Sequence, residues 1–419
     1  MASRAPLVLA CSLLASACGA KTGLDAPDVG SDAGVDAATD TGVDSGRPPV
    51  PCFEAPRELG EVTADLDVPA ALAVVDIMFV IDSTGSMSDE IEAVRAGLRD
   101  RLVPDVRALI PDAAFGVALF GEFPVEPYGP RRVRPYELRA PITSDVTRIE
   151  AALDGTPTWG NFDDPEASIE AVYQVVTGEG LGMFISPSIG CPGGGFGGVC
   201  YRPDALPILM LITDAPMHNG PPDVPPVDNY DFEAHGYRET VDAVNRLDVL
   251  VLGLGATDRG RPTPLDHLRA LTRDTGSVDA RGEPLTFDIG SGGDRIGADI
   301  VAAVRRVAMG VPLDVDALAE DIPGDAVDAA DVLRGVVALR ADPPGNVASM
   351  DGDTFLGVVP GTLLTFRIVI DASDLPPSPT RRVYPARVVF RASRRSRLEV
   401  REIEIVVPGD DGSGCDDDT

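Results

Sequence analysis

The sequence predicts an α/β protein built on a doubly wound, mostly parallel sheet, followed by a small all-β sandwich. Three observations carry this. Apolar runs of strand length, without alternation, recur along residues 72–309, as strands buried on both faces require. Segments with apolar residues at helical spacing lie between them, and strands alternating with helices build a parallel sheet. Past Met309 the helical spacing stops and period-two runs take over.

The first run, "LAVVDIMFVID", places the start of the folded body near Leu72. Met87, Ile91, Val94, Leu98 and Leu102 follow at helical spacing. "FGVALFGEF" (115–123) is the next strand. A helix is predicted to open at "DPEASIEAVYQVV", with Pro165 in its first turn, where a missing N–H costs nothing. "LPILMLITDAP" (206–216) is a further buried strand. A helix around 239–247, the strand "DVLVLGLGA", the helix-like "LDHLRALTRDTG" and a last helix "GADIVAAVRRVAMG" complete the series. "GVVALRA", "TLLTFRIVIDAS", "RRVYPARVVFRAS" and "LEVREIEIVVPG" then read as strands of a β-sandwich spanning 312–408. There Phe366, Ile368 and Ile370 alternate with Thr365 and Arg367. Nothing in this part suggests chemistry. Residues 409–419, "GDDGSGCDDDT" after Pro408, are too acidic and glycine-rich to pack and are expected to be a disordered tail.

The N-terminus, "MASRAPLVLACSLLASACGAKTG", has a short basic start and an apolar stretch too short to span a membrane stably. It reads as an export signal over residues 1–18. Its end, "LASAC", resembles a bacterial lipoprotein signal, which implies lipidation of Cys18 and a lipid anchor as the only membrane attachment. Ala15 stands where that pattern prefers leucine. Residues 19–51 then form an Asp-rich linker. Asp25, Asp28, Asp32, Asp36, Asp40 and Asp44 recur with no aromatic between them, so no core can form. Such a tether reaches roughly 30–40 Å. The expected location is an exported, membrane-anchored lipoprotein at the outer membrane or surface of a bacterium.

Net charge is −32, with 67 acidic against 35 basic residues, which argues against nucleic acid as a partner. Lys21 is the only lysine, which excludes a lysine-dependent phosphate loop or Schiff base from the folded body. The histidines are His218, His235 and His267. If Cys11 leaves with the signal and Cys18 carries lipid, Cys52, Cys191, Cys200 and Cys415 remain, an even number that suggests two disulfides. Cys191 and Cys200 flank "PGGGFGGV" as a stapled loop, and Cys52 and Cys415 bracket the body. Zinc would want its four ligands in closer pairs.

In doubly wound sheets, ligands sit at the carboxyl ends of the strands. Three separated segments place oxygens there: "DSTGS" (Asp82, Thr84, Ser86), "NFDDPE" (Asn161, Asp163, Glu166) and "TDAP" (Asp214). Carboxylates and hydroxyls suit a hard cation such as Mg²⁺. "DSTGS" resembles the D-x-S/T-x-S metal-ion-dependent adhesion site of von Willebrand factor type A domains, a Rossmann-like fold, over roughly residues 72–309. The resemblance implies a central Mg²⁺ held by Asp82, Thr84, Ser86, Glu166 and Asp214. The variant most similar is the integrin β-subunit I-like domain, which implies flanking sites, possible places for Ca²⁺, that draw on Asp89, Glu90, Glu122, Asn161, Asp163 and the Pro165 carbonyl. Glu122 is one methylene longer than the aspartate of that pattern. The stapled loop follows the "PE" helix, whereas the integrin ligand-selecting loop precedes its counterpart, so partner identity does not carry over.

Each group also has a plainer reading. Asp89 and Glu90 suit the positive end of a helix dipole with no metal at all. Trp159 reads as a packing residue, His218 as a loop residue, and Arg131, Arg132 and Arg134 as a solvated basic loop. The function expected is cation-dependent binding or adhesion to a protein ligand that presents Asp or Glu. The alternatives are a structural envelope protein with a fold-stabilising metal and a metal-assisted hydrolase. No G-x-S-x-G, H-E-x-x-H or Cys–His arrangement supports an enzyme.

Overall fold

The computed structural model describes residues 50–162, 164–257, 263–290, 295–324, 326–393 and 395–415. The signal, Cys18, the Asp-rich linker as far as residue 49, and Asp163 lie outside them. The described chain opens with β1 (Cys52–Glu54) and β2 (Glu61–Pro69), then enters β3 (Val74–Asp82), α1 (Ser88–Gly97), α2 (Val103–Leu109), β4 (Asp112–Phe120) and β5 (Glu137–Thr143). It continues through α3 (Val146–Leu153), α4 (Ser168–Thr177), β6 (Leu206–Thr213), α5 (Tyr237–Arg246), β7 (Leu250–Gly255), α6 (Leu265–Asp274), β8 (Thr286–Asp288) and α7 (Ile296–Gly310). Strands β9 (Leu313–Asp321), β10 (Leu333–Asp342), β11 (Ser349–Asp351), β12 (Thr354–Val358), β13 (Leu363–Asp371), β14 (Arg382–Ala392) and β15 (Ser396–Val407) close it.

The α/β sheet runs β5-β4-β3-β6-β7-β8. All neighbours are parallel except the antiparallel edge strand β5. Every residue of β3 is buried. Its alternation sends Ile77, Phe79 and Ile81 into one apolar layer and Met78 and Val80 into another. The unbroken apolar run in the sequence therefore reflects helices covering both faces. Strand order reverses at β3, since the chain builds β4 and β5 on one side and β6 to β8 on the other. Asp82, the last residue of β3, lies at this switch point.

The other two sheets are β1-β15-β14-β9-β12-β11 and β10-β13-β2. They face each other across an apolar layer, with Phe366 of β13 packed 5.0 Å from Phe355 and 5.4 Å from Phe390. The expected start at Leu72 comes too late. β2 pairs with β13 over nine residues, from Leu363–Pro69 to Asp371–Glu61, and β1 pairs with β15 in parallel. Val62, Ala64, Leu66 and Val68 turn inward while Glu61, Thr63, Asp65 and Asp67 point out. From residue 50 the described chain thus passes first among the C-terminal strands, makes the α/β sheet, and returns to them. One apolar cluster runs through both parts, including Phe79 of β3 and Phe366 of β13, while Met78 and Val80 belong to a second cluster within the α/β part. Ser396 Oγ donates to the Val74 carbonyl at 3.0 Å and Arg397 N to the Asp204 carbonyl at 2.9 Å.

Both cysteine pairs are bridged, Cys52 to Cys415 and Cys191 to Cys200. The disorder expected from residue 409 does not begin there. Cys415 N donates to Glu54 Oε1 at 2.8 Å, Arg381 Nη1 to the Gly414 carbonyl at 2.9 Å, and Asp410 N to the Ser378 carbonyl at 3.0 Å. Composition alone misses this because a covalent bridge and hydrogen bonds to distant residues, not apolar packing, hold the segment. The bridge spans 363 residues. Replacing Cys52 and Cys415 together by serine should cost about 2–4 kcal/mol by freeing the unfolded chain. Urea unfolding under oxidising conditions reads this, and an unchanged midpoint would show that the termini do not constrain the fold.

Candidate metal centre

Strand β3 delivers Asp82 to the sheet's carboxyl edge with its side chain fully buried. Its oxygens are shared among hydroxyls. Oδ1 accepts from Thr84 N at 2.9 Å and from Thr84 Oγ1 at 2.7 Å, while Oδ2 accepts from Thr213 Oγ1 at 2.7 Å. Thr84 Oγ1 lies 3.3 Å from Ser86 Oγ. A short 3-10 turn, Gly85–Met87, carries Ser86 to the exposed side of this cluster. Thr213 ends β6, which pairs with β3, so Asp214 leaves the neighbouring strand beside Asp82.

Backbone hydrogen bonds knit the remaining loops to this edge. Trp159 N donates to the Ser83 carbonyl at 2.8 Å, which brings the residue 159–166 loop against "DSTGS". Glu166 N donates to the Pro216 carbonyl, and His218 N to the Glu166 carbonyl, both at 3.0 Å. Glu166 is therefore extended backbone beside the "TDAP" loop, not a helix residue. The helix opens at Ser168, so Pro165 precedes it rather than lying in its first turn. Pro165 is buried, and Glu166 Oε1 accepts from Asn161 Nδ2 at 2.5 Å.

Burial, reinforced by the Asp214 charge, pushes the Asp82 carboxyl up to about 7, although the Thr84 and Thr213 hydrogen bonds oppose this. Two neighbouring carboxylates, one fully buried and one half-buried, are costly when both are ionised. A hard divalent cation offsets that cost and accepts hydroxyl as well as carboxylate oxygen. The donor set fits such an ion, with Asp82, Thr84, Ser86, Glu166 and Asp214 as the side chains that would hold it. Among the described residues no group of three or more His, Cys, Asp or Glu side chains converges as a metal site.

The flanking candidates divide. Asp89 and Glu90 occupy the first turn of α1, Asp89 exposed and Glu90 buried. Glu122 is buried in an aromatic cluster. Its Oε1 accepts from Tyr230 Oη at 2.6 Å and Phe123 N at 2.5 Å, and His218 Nε2 lies 3.4 Å from Oε2. His218 is a loop residue, and a fully enclosed one, edge-on to Tyr128 at 5.3 Å and tilted against Tyr230 at 4.4 Å. Thr213 and Tyr230 were not foreseen. Only the pairing of β6 with β3 puts the Thr213 hydroxyl on Asp82. The threonine just before Asp214 was the available signal.

The α/β part is von Willebrand factor A-like: a doubly wound sheet whose switch-point strand ends in D-x-T-x-S, with a further acid after the adjacent strand. Among solved structures, this chain is similar to "von Willebrand factor type A from Catenulispora acidiphila". Identity is 13%, TM-score 0.37, with 86% of this chain and 72% of that one covered. It is also similar to the pilus adhesin SpaC from Lactobacillus rhamnosus GG, open conformation. Identity there is 13%, TM-score 0.34, with 85% of this chain covered and under half of the adhesin, 46%. No protein-family profile and no curated protein matches the sequence.

Proposed function

We propose that this protein is an exported module, anchored by lipid at Cys18, that binds a protein partner through a divalent cation at the carboxyl edge of the α/β sheet. When bound, the cation supplies an electrophilic position that an Asp or Glu of the partner completes. Mg²⁺ suits the central position and Ca²⁺ the flanking ones. The observation that carries this is the buried Asp82 with Thr84, Ser86 and Thr213 hydroxyls about it and the Asp214 charge beside it. This arrangement holds and shares a cation without needing a base or a nucleophile. No described helix is long and apolar enough to cross a membrane.

Glu166 would serve the central cation and a flanking one together, so its loss should matter more than that of Asp89. Glu166→Gln keeps an acceptor for Asn161 while removing the charge. Metal-free, this variant should melt at or above the wild-type temperature. A cation at a hundred times its Kd stabilises the native state by about 2.7 kcal/mol, and Glu166→Gln should lose most of that. Asp89→Ala should lose only part. Thermal melts with chelator, Mg²⁺ and Ca²⁺ read all three proteins. A wild type indifferent to cations sinks the proposal, and equal losses in the two variants sink the shared role of Glu166. Capture of partners in Mg²⁺ with elution by EDTA separates binding from mere stabilisation of the fold.

A further inference from the structure

Beside the candidate metal centre the segment between β4 and β5 walls a groove of about 800 Å³. Arg131, Arg132, Arg134 and Arg139 line it together with Trp159 and Met183, and Glu137 is the one acidic side chain in its lining. Arg131 and Arg132 are exposed and have no ion-pair partner among the described residues. Arg134 reaches Glu137 only at 3.9 Å between partly exposed side chains, a pairing worth little. Arg139 is committed, to Glu137 at 3.0 Å and to the Ala152 carbonyl at 3.1 Å. Positive charge therefore outweighs negative in this groove, on a chain whose net charge is −32.

The groove and the candidate metal centre share a wall. The Trp159 backbone bonds to Ser83, next to Thr84. At Gly121 the approach is so close that an added Cβ would meet Trp159 and Val133 at 2.9 Å and the Thr84 methyl at 3.6 Å. Only glycine lets the groove wall pack this closely against Thr84, one of the candidate metal ligands. At the rim Met183 is 92% exposed, an apolar contact with nothing over it.

We infer that this groove docks an acidic segment of the partner polypeptide, next in sequence to the carboxylate that meets the cation. This rests on the reading of the site given above. Most of this molecule's surface repels an acidic chain, so a local basic groove steers it to one place. Arg131 and Arg132 offer planar donor pairs that match carboxylates, and Met183 offers an apolar rest for a side chain between them. The cation then supplies one strong contact and the arginines supply orientation and selectivity.

The test uses the full folded protein and a short fluorescein-labelled peptide of alternating Glu and Gly ending in Phe, with its Gln counterpart as control. Fluorescence anisotropy in Mg²⁺ should show the acidic peptide binding and the Gln peptide failing. Arg131→Gln with Arg132→Gln should weaken binding about tenfold or more, as loss of charge-assisted bonds requires, and should flatten the salt dependence. Both residues are exposed, so a thermal melt should match wild type. Arginine-dependent binding that persists in EDTA supports the groove even where the metal reading fails. Binding that EDTA abolishes but the arginine variant leaves intact overturns the groove and spares the metal. Tighter binding of heparin than of the acidic peptide, lost in the same variant, overturns the peptide assignment in favour of a polyanionic glycan.

Discussion

In metal-free buffer at pH 8, Asp82→Asn should melt higher than wild type, and Mg²⁺ should no longer raise its melting temperature. The carboxyl is fully buried and pushed up to about 7, against the usual carboxylate range near 4. Its native pKa is raised, so its contribution to stability is fullest at low pH and is lost as pH rises through 7. Ionised and without a cation, it costs on the order of 3–4 kcal/mol at pH 8. Asparagine removes that cost at little structural expense. Its carbonyl can still accept from Thr84, and Thr213 Oγ1 can turn its hydrogen toward the Ala215 carbonyl, already 3.4 Å away. The gain should amount to about 5 °C or more at pH 8 for a chain of this size and shrink toward pH 5. Wild type should show the opposite trend with Mg²⁺, which competes with the proton and binds better at pH 8 than at pH 6. Scanning calorimetry at pH 5, 6 and 8, with EDTA and with Mg²⁺, reads these effects. If Asp82→Asn melts lower than wild type at pH 8 in EDTA, the buried carboxylate is not the liability proposed.

How much of this was legible in the sequence depends on how local each signal is. The "VVDIMFVID" run shows a strand covered on both faces, and acids and hydroxyls after such a strand mark its functional end. Those cues sit within residues 74–86. Strand β2 escaped because its partner β13 lies far along the chain, with Leu66 opposite Phe366, and because its outward face is acidic like the preceding linker. The fixed tail escaped for a related reason: Cys52 and Glu54, at the other end of the body, hold it together with Ser378 and Arg381. Glu122 could be matched by type, but Tyr230 and His218, which occupy its oxygens, come from a loop after β6. Arg131, Arg132 and Arg134 stood out by composition. Their relation to Trp159, and through it to Thr84, needs the folded chain. Asp76 carries a local signal as well. It reads as one polar letter inside an apolar strand, and a charge at such a position demands a partner.

That partner is Arg202, and Arg202→Met should destabilise the protein by about 3–5 kcal/mol at neutral pH, because it strands a buried charge. Asp76 is fully buried on β3. Its Oδ2 accepts from Arg202 N at 2.5 Å and its Oδ1 from Arg202 Nε at 2.7 Å. The same guanidinium donates through Nη1 to Asp112 Oδ1 at 2.7 Å, and through Nη2 to the Val75 and Asp112 carbonyls, both at 3.0 Å. Arg202 follows the Cys191–Cys200 bridge, so one side chain fastens the stapled loop to the starts of β3 and β4. Burial already pushes the Asp76 carboxyl up to about 6, with the Arg202 hydrogen bonds and charge pulling the other way. Without Arg202 it climbs further. The ionisation cost therefore grows as pH rises from about 4 and is full only above the new native pKa. The loss in Arg202→Met should be clearly smaller at pH 5 than at pH 8. Adding Asp76→Asn to Arg202→Met should recover much of the loss at pH 8 and little at pH 5. Urea unfolding of wild type, both single variants and the double variant at the two pH values closes this cycle. Equal losses at pH 5 and pH 8 would mean that Arg202 acts by packing and backbone bonds, not by neutralising Asp76. Asp76 and Asp82 are six residues apart on one strand, about 20 Å at 3.3 Å per residue. Arg202→Met should therefore leave the Mg²⁺-induced shift in melting temperature intact. A variant that loses both would indicate that the two ends of β3 do not fold independently of the loop that Arg202 secures.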